Sequence, residues 1–165
     1  MAGKRAPVTP AIRALRAAGV EYSEHVFDYD RYPGAAGAAE FLEVDPHLTI
    51  KTIVFTTDGG SGAVVLMHGD LEVSIKSLAR ELGVKKVRPA NQREADRLTG
   101  YQFGGTSPLG MRSDPPVYAE RTITDLDLVY VNAGSRGFLV GLDPLVLVEL
   151  TGAVLADLAT DRTVL

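Results

Sequence analysis

Three short segments hold the residues whose types and spacing could do chemistry. Lys51 stands inside the apolar run Ile50-Lys51-Thr52-Ile53-Val54-Phe55, and strand alternation puts it on one face with Ile53 and Phe55. An ammonium directed into a core is costly unless it meets an anion or a carbonyl. Lys51 therefore either serves a site or sits at the strand end and snorkels to water. The second segment, Gly100 to Gly110, contains Gly104-Gly105-Thr106-Ser107-Pro108. Adjacent glycines let a backbone turn tightly and bring N–H groups close to a carbonyl oxygen or phosphate, while Thr106 and Ser107 add hydroxyls. By composition alone it is equally a plain connection from helix to strand. The third, Asn132-Ala133-Gly134-Ser135-Arg136-Gly137, reads as a hairpin turn in which Arg136 could meet an anion.

Other chemistries fail on spacing. His25, His47 and His68 have neither metal-ligand spacing nor cysteine partners, so no metal and no cofactor is expected. Gly59-Gly60-Ser61-Gly62 lies between two strand-like runs and reads as a hairpin loop, since a phosphate cradle needs a strand-to-helix turn. Gly105-Thr106-Ser107-Pro108-Leu109 has Leu where a nucleophile elbow closes with Gly, and Pro follows the serine directly. The chain has no cysteine, which excludes disulfides and thiolate nucleophiles and makes an intracellular, cytoplasmic protein the expectation.

Regular elements must position these segments. Thr9-Pro10 caps an amphipathic helix that Gly19 stops, and Val20 to Tyr29 is strand-like. A short Ala-rich helix covers Ala35 to Leu42. Leu48 to Thr56 and Ala63 to His68 read as a hairpin of strands. Ser74 caps a helix ending at Gly83, Lys85 to Arg88 is a short strand, and Asn91 with Glu94 forms a capping box for a helix ending at Gly100. Strands are expected over Val117 to Ile123, Asp127 to Asn132 and Gly137 to Leu142; a helix then runs from Asp143-Pro144 to Leu150, with a last element over Val154 to Leu158. Hairpins without regular βαβ alternation favour an α/β fold with one mixed, barrel-like sheet and peripheral helices.

With 165 residues, 45% hydrophobic and 23% charged, the chain suits one domain over 1–165, with frayed ends at 1–8 and 159–165. Its longest clean apolar run, Ala63 to Met67, is far short of a membrane span, and the basic N-terminus lacks the apolar stretch of a signal peptide. A net charge of −4 argues against indiscriminate coating of nucleic acid. Charge is uneven, however. Lys76 to Arg97 carries seven basic residues against three acidic ones, hence +4, leaving −8 for the rest. Such a patch is either a solvated face or a surface that steers an anionic partner such as RNA.

Taken in order, Lys51-Thr52-Ile53-Val54-Phe55, Thr99-Gly100-Tyr101 with Gly104-Gly105-Thr106-Ser107-Pro108-Leu109-Gly110, and Tyr130 to Gly137 resemble the YbaK/ProX-type aminoacyl-tRNA editing family. The likeness runs from about Thr9 to Asp157 and includes the Thr9-Pro10-Ala11 helix start and His25-Val26-Phe27-Asp28. The resemblance implies a freestanding trans-editing deacylase that hydrolyses the ester of a mischarged tRNA, typically Cys-tRNA(Pro), on a small mixed α/β domain. Editing has a physical rationale: one methylene changes binding by only ~1–3 kcal/mol, so a synthetase pocket cannot reject a small amino acid of similar size by itself.

By the same resemblance Lys51 holds the 3′-terminal nucleotide or the aminoacyl group, and Gly104, Gly105 and Thr106 face the scissile ester and stabilise its oxyanion. Ser107 organises that loop and, with Phe27, Pro108, Asn132, Gly134, Arg136 and Leu139, is expected to bind the substrate. Lys76, Arg80, Lys85 and Lys86 are candidates for tRNA phosphates. Attack falls to the substrate's own thiol or to a water assisted by the terminal ribose. The implied partners are mischarged tRNA and prolyl-tRNA synthetase, with no DNA and no membrane. Phe27 stands where well-known cysteinyl editors carry tyrosine, and Leu139 where some members are acidic, so this pocket is expected to be more apolar. A non-catalytic module that binds aminoacyl-tRNA or a synthetase is the alternative.

Overall fold

The computed structural model describes residues 5–160. Five helices surround three groups of strands. Helix α1 (Pro10–Ala18) begins where Thr9 Oγ1 accepts the Ile12 N–H, and it stops at Gly19 in the left-handed region. Strand β1 (Ser23–Val26) and helix α2 (Gly34–Leu42) follow. The hairpin pairs β2 (Ile50–Thr57) with β3 (Gly62–His68). Next come β4 (Glu72–Val73), α3 (Ile75–Leu82), β5 (Val87–Pro89) and α4 (Gln92–Thr99), the last opened by the Asn91–Glu94 capping box. The chain continues through β6 (Val117–Glu120), β7 (Val129–Ser135), β8 (Phe138–Leu142), α5 (Pro144–Thr151), β9 (Val154–Ala156) and β10 (Ala159–Thr160).

The expected barrel does not close. One sheet has the order β5-β2-β3-β6-β9, a second β1-β8-β7, and β10 pairs with β4. The two larger sheets meet at a single parallel bridge between Thr49 and Tyr130. The reason is local: Asp45 caps a 3₁₀ turn over Pro46–Leu48, so the chain enters β2 from a helical turn and only Thr49 reaches β7. The same turn shortens the strand expected from Leu48. At the other end of the sheet, Glu120 accepts the N–H and hydroxyl of Thr122 and folds Arg121–Asp125 into a 3₁₀ turn, ending β6 three residues before Ile123. Of the strand-like run from Val20, Ser23–Val26 forms the strand, paired with Gly141 to Phe138 of β8, and Phe27 N–H adds one bond beyond it to the Gly137 carbonyl. Of the expected frayed ends, 1–4 and 161–165 lie outside the described residues; Ala159–Thr160 pairs with Val73 and Glu72 and is ordered.

The main core lies between the two larger sheets and α1, with Ile12, Leu15, Val64, Leu66, Val131 and Val140 fully buried. A second cluster packs α3 through Leu78 onto the Phe55, Val65 and Met67 face of the hairpin. A third, Phe27 with Ala38 and Leu139, ties α2 to β8 and forms one wall of the cavity described next.

Candidate functional site

Lys51, Gly104, Thr106 and Asn132, from three separated chain segments, line one cavity of about 320 Å³. Phe27, Leu139 and Ala38 of α2 line it as well. Lys51 shares its strand face with the Phe55 cluster but sits at the end of β2, where its side chain keeps 19% exposure. Its Nζ donates to the Leu71 carbonyl and lies 3.8 Å from Glu72 Oε2. The ammonium thus meets both a carbonyl and an anion on the turn between β3 and β4, which fixes its position at the cavity edge. Next to it, the buried Oγ1 of Thr52 has no hydrogen-bond partner.

The glycine loop is built by its neighbours. Gly105 N–H donates to the Gln102 carbonyl at 2.9 Å, closing a turn, and Gly104 takes φ +85°, a conformation side chains rarely adopt. Among the described residues, no hydrogen bond is made by the N–H of Gly104 or of Thr106. Asn132 Nδ2 donates to the Gly104 and Ser135 carbonyls, each at 3.2 Å, and its Oδ1 accepts the Gly134 N–H at 2.7 Å. A register shift between Asn132 and Ser135 bulges β7 there, which brings Asn132 across to the loop. Arg136 Nε donates to the Phe103 carbonyl at 2.9 Å, and its guanidinium lies over the Tyr29 ring.

Gly105, Ser107, Pro108, Gly134 and Arg136 do not line the cavity but stand behind or beside it. Ser107 is fully buried, and its Oγ accepts the Leu109 N–H. Tyr101 donates its hydroxyl to the Leu109 carbonyl, and burial pushes that hydroxyl up to about 12, so it stays a donor. Gly134 leaves room for the Tyr101 ring, since a Cβ would sit 2.7 Å from it. These contacts hold the Ser107–Leu109 stretch as scaffold.

Lys76, Arg80, Lys85 and Lys86 are exposed and share a groove of about 910 Å³ between α3 and β5, joined there by Arg88. This groove borders Thr56 and Thr57 of β2, whereas the cavity borders Ile50 to Ile53 of the same strand. Val54 and Phe55 intervene, so the two borders are three strand steps, about 10 Å, apart.

Sequence reasoning missed the small residues of α2. Gly34, Ala35 and Ala38 bring a helix against the cavity, and the Gly/Ala-rich composition of that segment was the available signal. It also missed Phe103 and Tyr29 at the cavity. The spacing argument set aside His25, His47 and His68 and did not consider Asp70, yet the ligand atoms of His47, His68 and Asp70 lie within 4.8 Å of one another. The two imidazoles are stacked 3.6 Å apart and within 5° of parallel, so their in-plane lone pairs do not converge on a point about 2.1 Å from both, as an ion requires. The group is instead a polar network: His47 Nδ1 pairs with Asp70 at 2.9 Å, and His68 bridges the His47 carbonyl and Thr122 Oγ1, each at 2.8 Å. It anchors the 3₁₀ turn ahead of β2. Among the described residues, no helix is long and apolar enough to cross a membrane.

Comparison with known proteins identifies the family and the fold. Residues 33–150 match the family model of the aminoacyl-tRNA editing domain. EbsC of Enterococcus faecalis, which bears the name of a Cys-tRNA(Pro)/Cys-tRNA(Cys) deacylase, is 30% identical over 92% of this chain and 93% of its own. A proline–tRNA ligase of Streptococcus mutans is 33% identical over 64% of this chain, which matches 17% of the ligase. The fold matches hypothetical protein APE2540 with a TM-score of 0.83 and 28% identity, over 92% of this chain and all of that one. It matches a crystal structure described as a trans-editing enzyme for prolyl-tRNA synthetase with a TM-score of 0.79 and 24% identity, over 93% and 99% of the two chains. The segments that converge on the cavity thus lie in a chain that belongs to the aminoacyl-tRNA editing domain family, the deacylases of YbaK type.

Proposed function

We propose that this chain, as a single domain over 1–165, is a freestanding trans-editing hydrolase that cleaves the aminoacyl ester of mischarged tRNA(Pro), with Cys-tRNA(Pro) its principal substrate. The observation that carries the reading is the convergence of Lys51, the Gly104–Thr106 backbone and the Asn132 clamp on one small cavity with an apolar wall. Lys51 orients the 3′-terminal nucleotide or the aminoacyl group by charge-assisted contact. The oxyanion is received by the N–H groups of Gly104 and Thr106, since that of Gly105 already bonds Gln102. The Phe27, Ala38 and Leu139 wall favours a small uncharged side chain and excludes water from it.

Among the described residues, the Thr49 hydroxyl bonds backbone carbonyls and that of Thr52 has no hydrogen-bond partner, so neither is activated by a base, and attack comes from the substrate thiol or from a water assisted by the terminal ribose. The groove of Lys76, Arg80, Lys85 and Lys86 receives acceptor-stem phosphates. The protein acts in the cytoplasm, alone or with prolyl-tRNA synthetase, which then selects the tRNA.

The test is release of labelled amino acid from Cys-, Ala-, Ser- and Pro-tRNA(Pro) by wild type and by Lys51→Ala. Wild type is expected to release cysteine and to spare proline; Lys51→Ala is expected to lose about 100-fold or more. A wild-type protein that protects every ester would instead be a module that binds aminoacyl-tRNA without cleaving it.

A further inference from the structure

Two phenylalanines stand exposed among the described residues, and they differ in what covers them. Phe41 is 38% exposed, but its ring stacks on Phe27 with centroids 4.9 Å apart. Phe103 is 59% exposed, makes no ring contact among the described residues and belongs to none of the three apolar clusters. Folding therefore gains little from it. Phe103 nevertheless lines the cavity.

The backbone beneath Phe103 is held firmly. Its carbonyl accepts from Arg136 Nε at 2.9 Å, and the turn that carries it is closed by the Gly105 N–H on Gln102 at 2.9 Å. Arg136 is itself steadied over Tyr29, and that contact occupies the tyrosine face. Phe103 is thus a largely exposed aromatic residue of the cavity lining whose backbone is already fixed.

Resting on the editing reading above, we infer that Phe103 is the stacking platform for the terminal base of the tRNA 3′ end. The argument is one of placement. Gly104 and Phe103 are consecutive, with Cα atoms about 3.8 Å apart. An ester held at the Gly104 and Thr106 N–H groups puts its ribose at the mouth, and the base on that ribose then falls beside the residue preceding Gly104. An exposed aromatic face next to a site for an aminoacylated nucleotide meets a planar base with little loss of side-chain entropy, since its support is already ordered. The amino acid side chain lies on the other side, against Phe27, Ala38 and Leu139, and does not compete for Phe103.

The experiment uses an uncharged acceptor-stem RNA hairpin whose 3′-terminal base is 2-aminopurine, with Phe103→Leu, Phe103→Ala and Phe103→Trp beside wild type. Leucine keeps apolar bulk but has no π-face. Wild type is expected to quench the 2-aminopurine on binding; Phe103→Leu and Phe103→Ala are expected to lose the quench and to weaken binding roughly 5- to 100-fold, and Phe103→Trp to recover it. In parallel, kcat/KM for Cys-tRNA(Pro) should fall by a similar factor in Phe103→Leu. Equal quench and equal affinity in wild type and Phe103→Leu, or no quench by wild type, would overturn the inference. Absence of deacylation by wild type would instead refute the editing reading, and the quench would still report whether the base stacks.

Discussion

The side-chain amide of Asn132 donates to the main-chain carbonyl of Gly104, 28 residues away, and so fastens the bulge of β7 to the glycine loop. The same amide holds the Ser135 carbonyl, and its oxygen takes the Gly134 N–H, so all of its bonds serve loop geometry. Replacing it with Asp keeps the size but turns an amide donor into an acceptor facing two carbonyl oxygens. Asn132→Asp is therefore expected to lose more activity than Asn132→Ala, which only leaves those carbonyls unpaired at a cost of about 1–3 kcal/mol. Thermal denaturation and kcat/KM of both variants check this; an Asp variant as active as the Ala variant would refute the clamp.

Thr52 makes the opposite case. Its Oγ1 is buried with no partner, yet the residue lines the cavity beside Lys51. Thr52→Val removes an unpaired polar atom at nearly constant volume, so stability is expected to hold or rise by about 1 kcal/mol. If the hydroxyl serves the substrate, deacylation falls by about tenfold in the same variant. Unchanged kinetics would assign Thr52 to packing alone.

Glycine substitutions separate scaffold from site. A Cβ on Gly137 would lie 2.2 Å from the Phe27 carbonyl, and Phe27 N–H in turn bonds the Gly137 carbonyl at 2.8 Å. The nearest atoms to a Cβ on Gly104 would be side-chain atoms of Tyr29 and Arg136, at 2.9 to 3.2 Å. Gly137→Ala is expected to lower Tm markedly more than Gly104→Ala, whose strain at positive φ is about 1–2 kcal/mol. Gly104→Ala should instead lower kcat. Circular dichroism melts with single-turnover kinetics distinguish the two.

Glu120 sets an acid limit to stability. Burial pushes its carboxyl up, but donors from Thr122, Leu158 and Ala159 outweigh that and hold it below its ordinary value. A depressed folded-state pKa contributes stability that is present above the unfolded value near 4.5 and is lost as pH falls through the folded one. Wild-type Tm should therefore drop as pH is lowered from about 5 toward 3, and Glu120→Gln should start lower and depend less on pH there. Parallel slopes in the two proteins would show that other carboxylates dominate.

The basic groove predicts a salt signature. Replacing Lys76, Arg80, Lys85 and Lys86 together with Ala should raise KM for aminoacyl-tRNA, spare kcat and leave Tm nearly unchanged, since all four are exposed. Each lost phosphate contact should flatten the log–log salt dependence of binding by about 0.9 on a duplex stem. An unchanged salt slope would place the tRNA elsewhere.

The elements themselves were legible because their signals are local. Thr9, Ser74, Asn91 and Asp143 cap helices through their own side chains, and Gly19, Gly83, Gly100 and Gly152 end them in the left-handed region. The three motif segments were legible through the family resemblance they carry, since residue type alone left each of them a structural reading. Three-dimensional contact decided the rest. Whether the sheet closes depends on how many residues ahead of β2 reach β7, and the 3₁₀ turn at Pro46 leaves one. That Lys51 meets Leu71 and Glu72, that Asn132 fastens the loop, and that His47, His68 and Asp70 form one network all depend on pairs 20 or more residues apart. Spacing along the chain carries no information about such pairs until the strands fix their register.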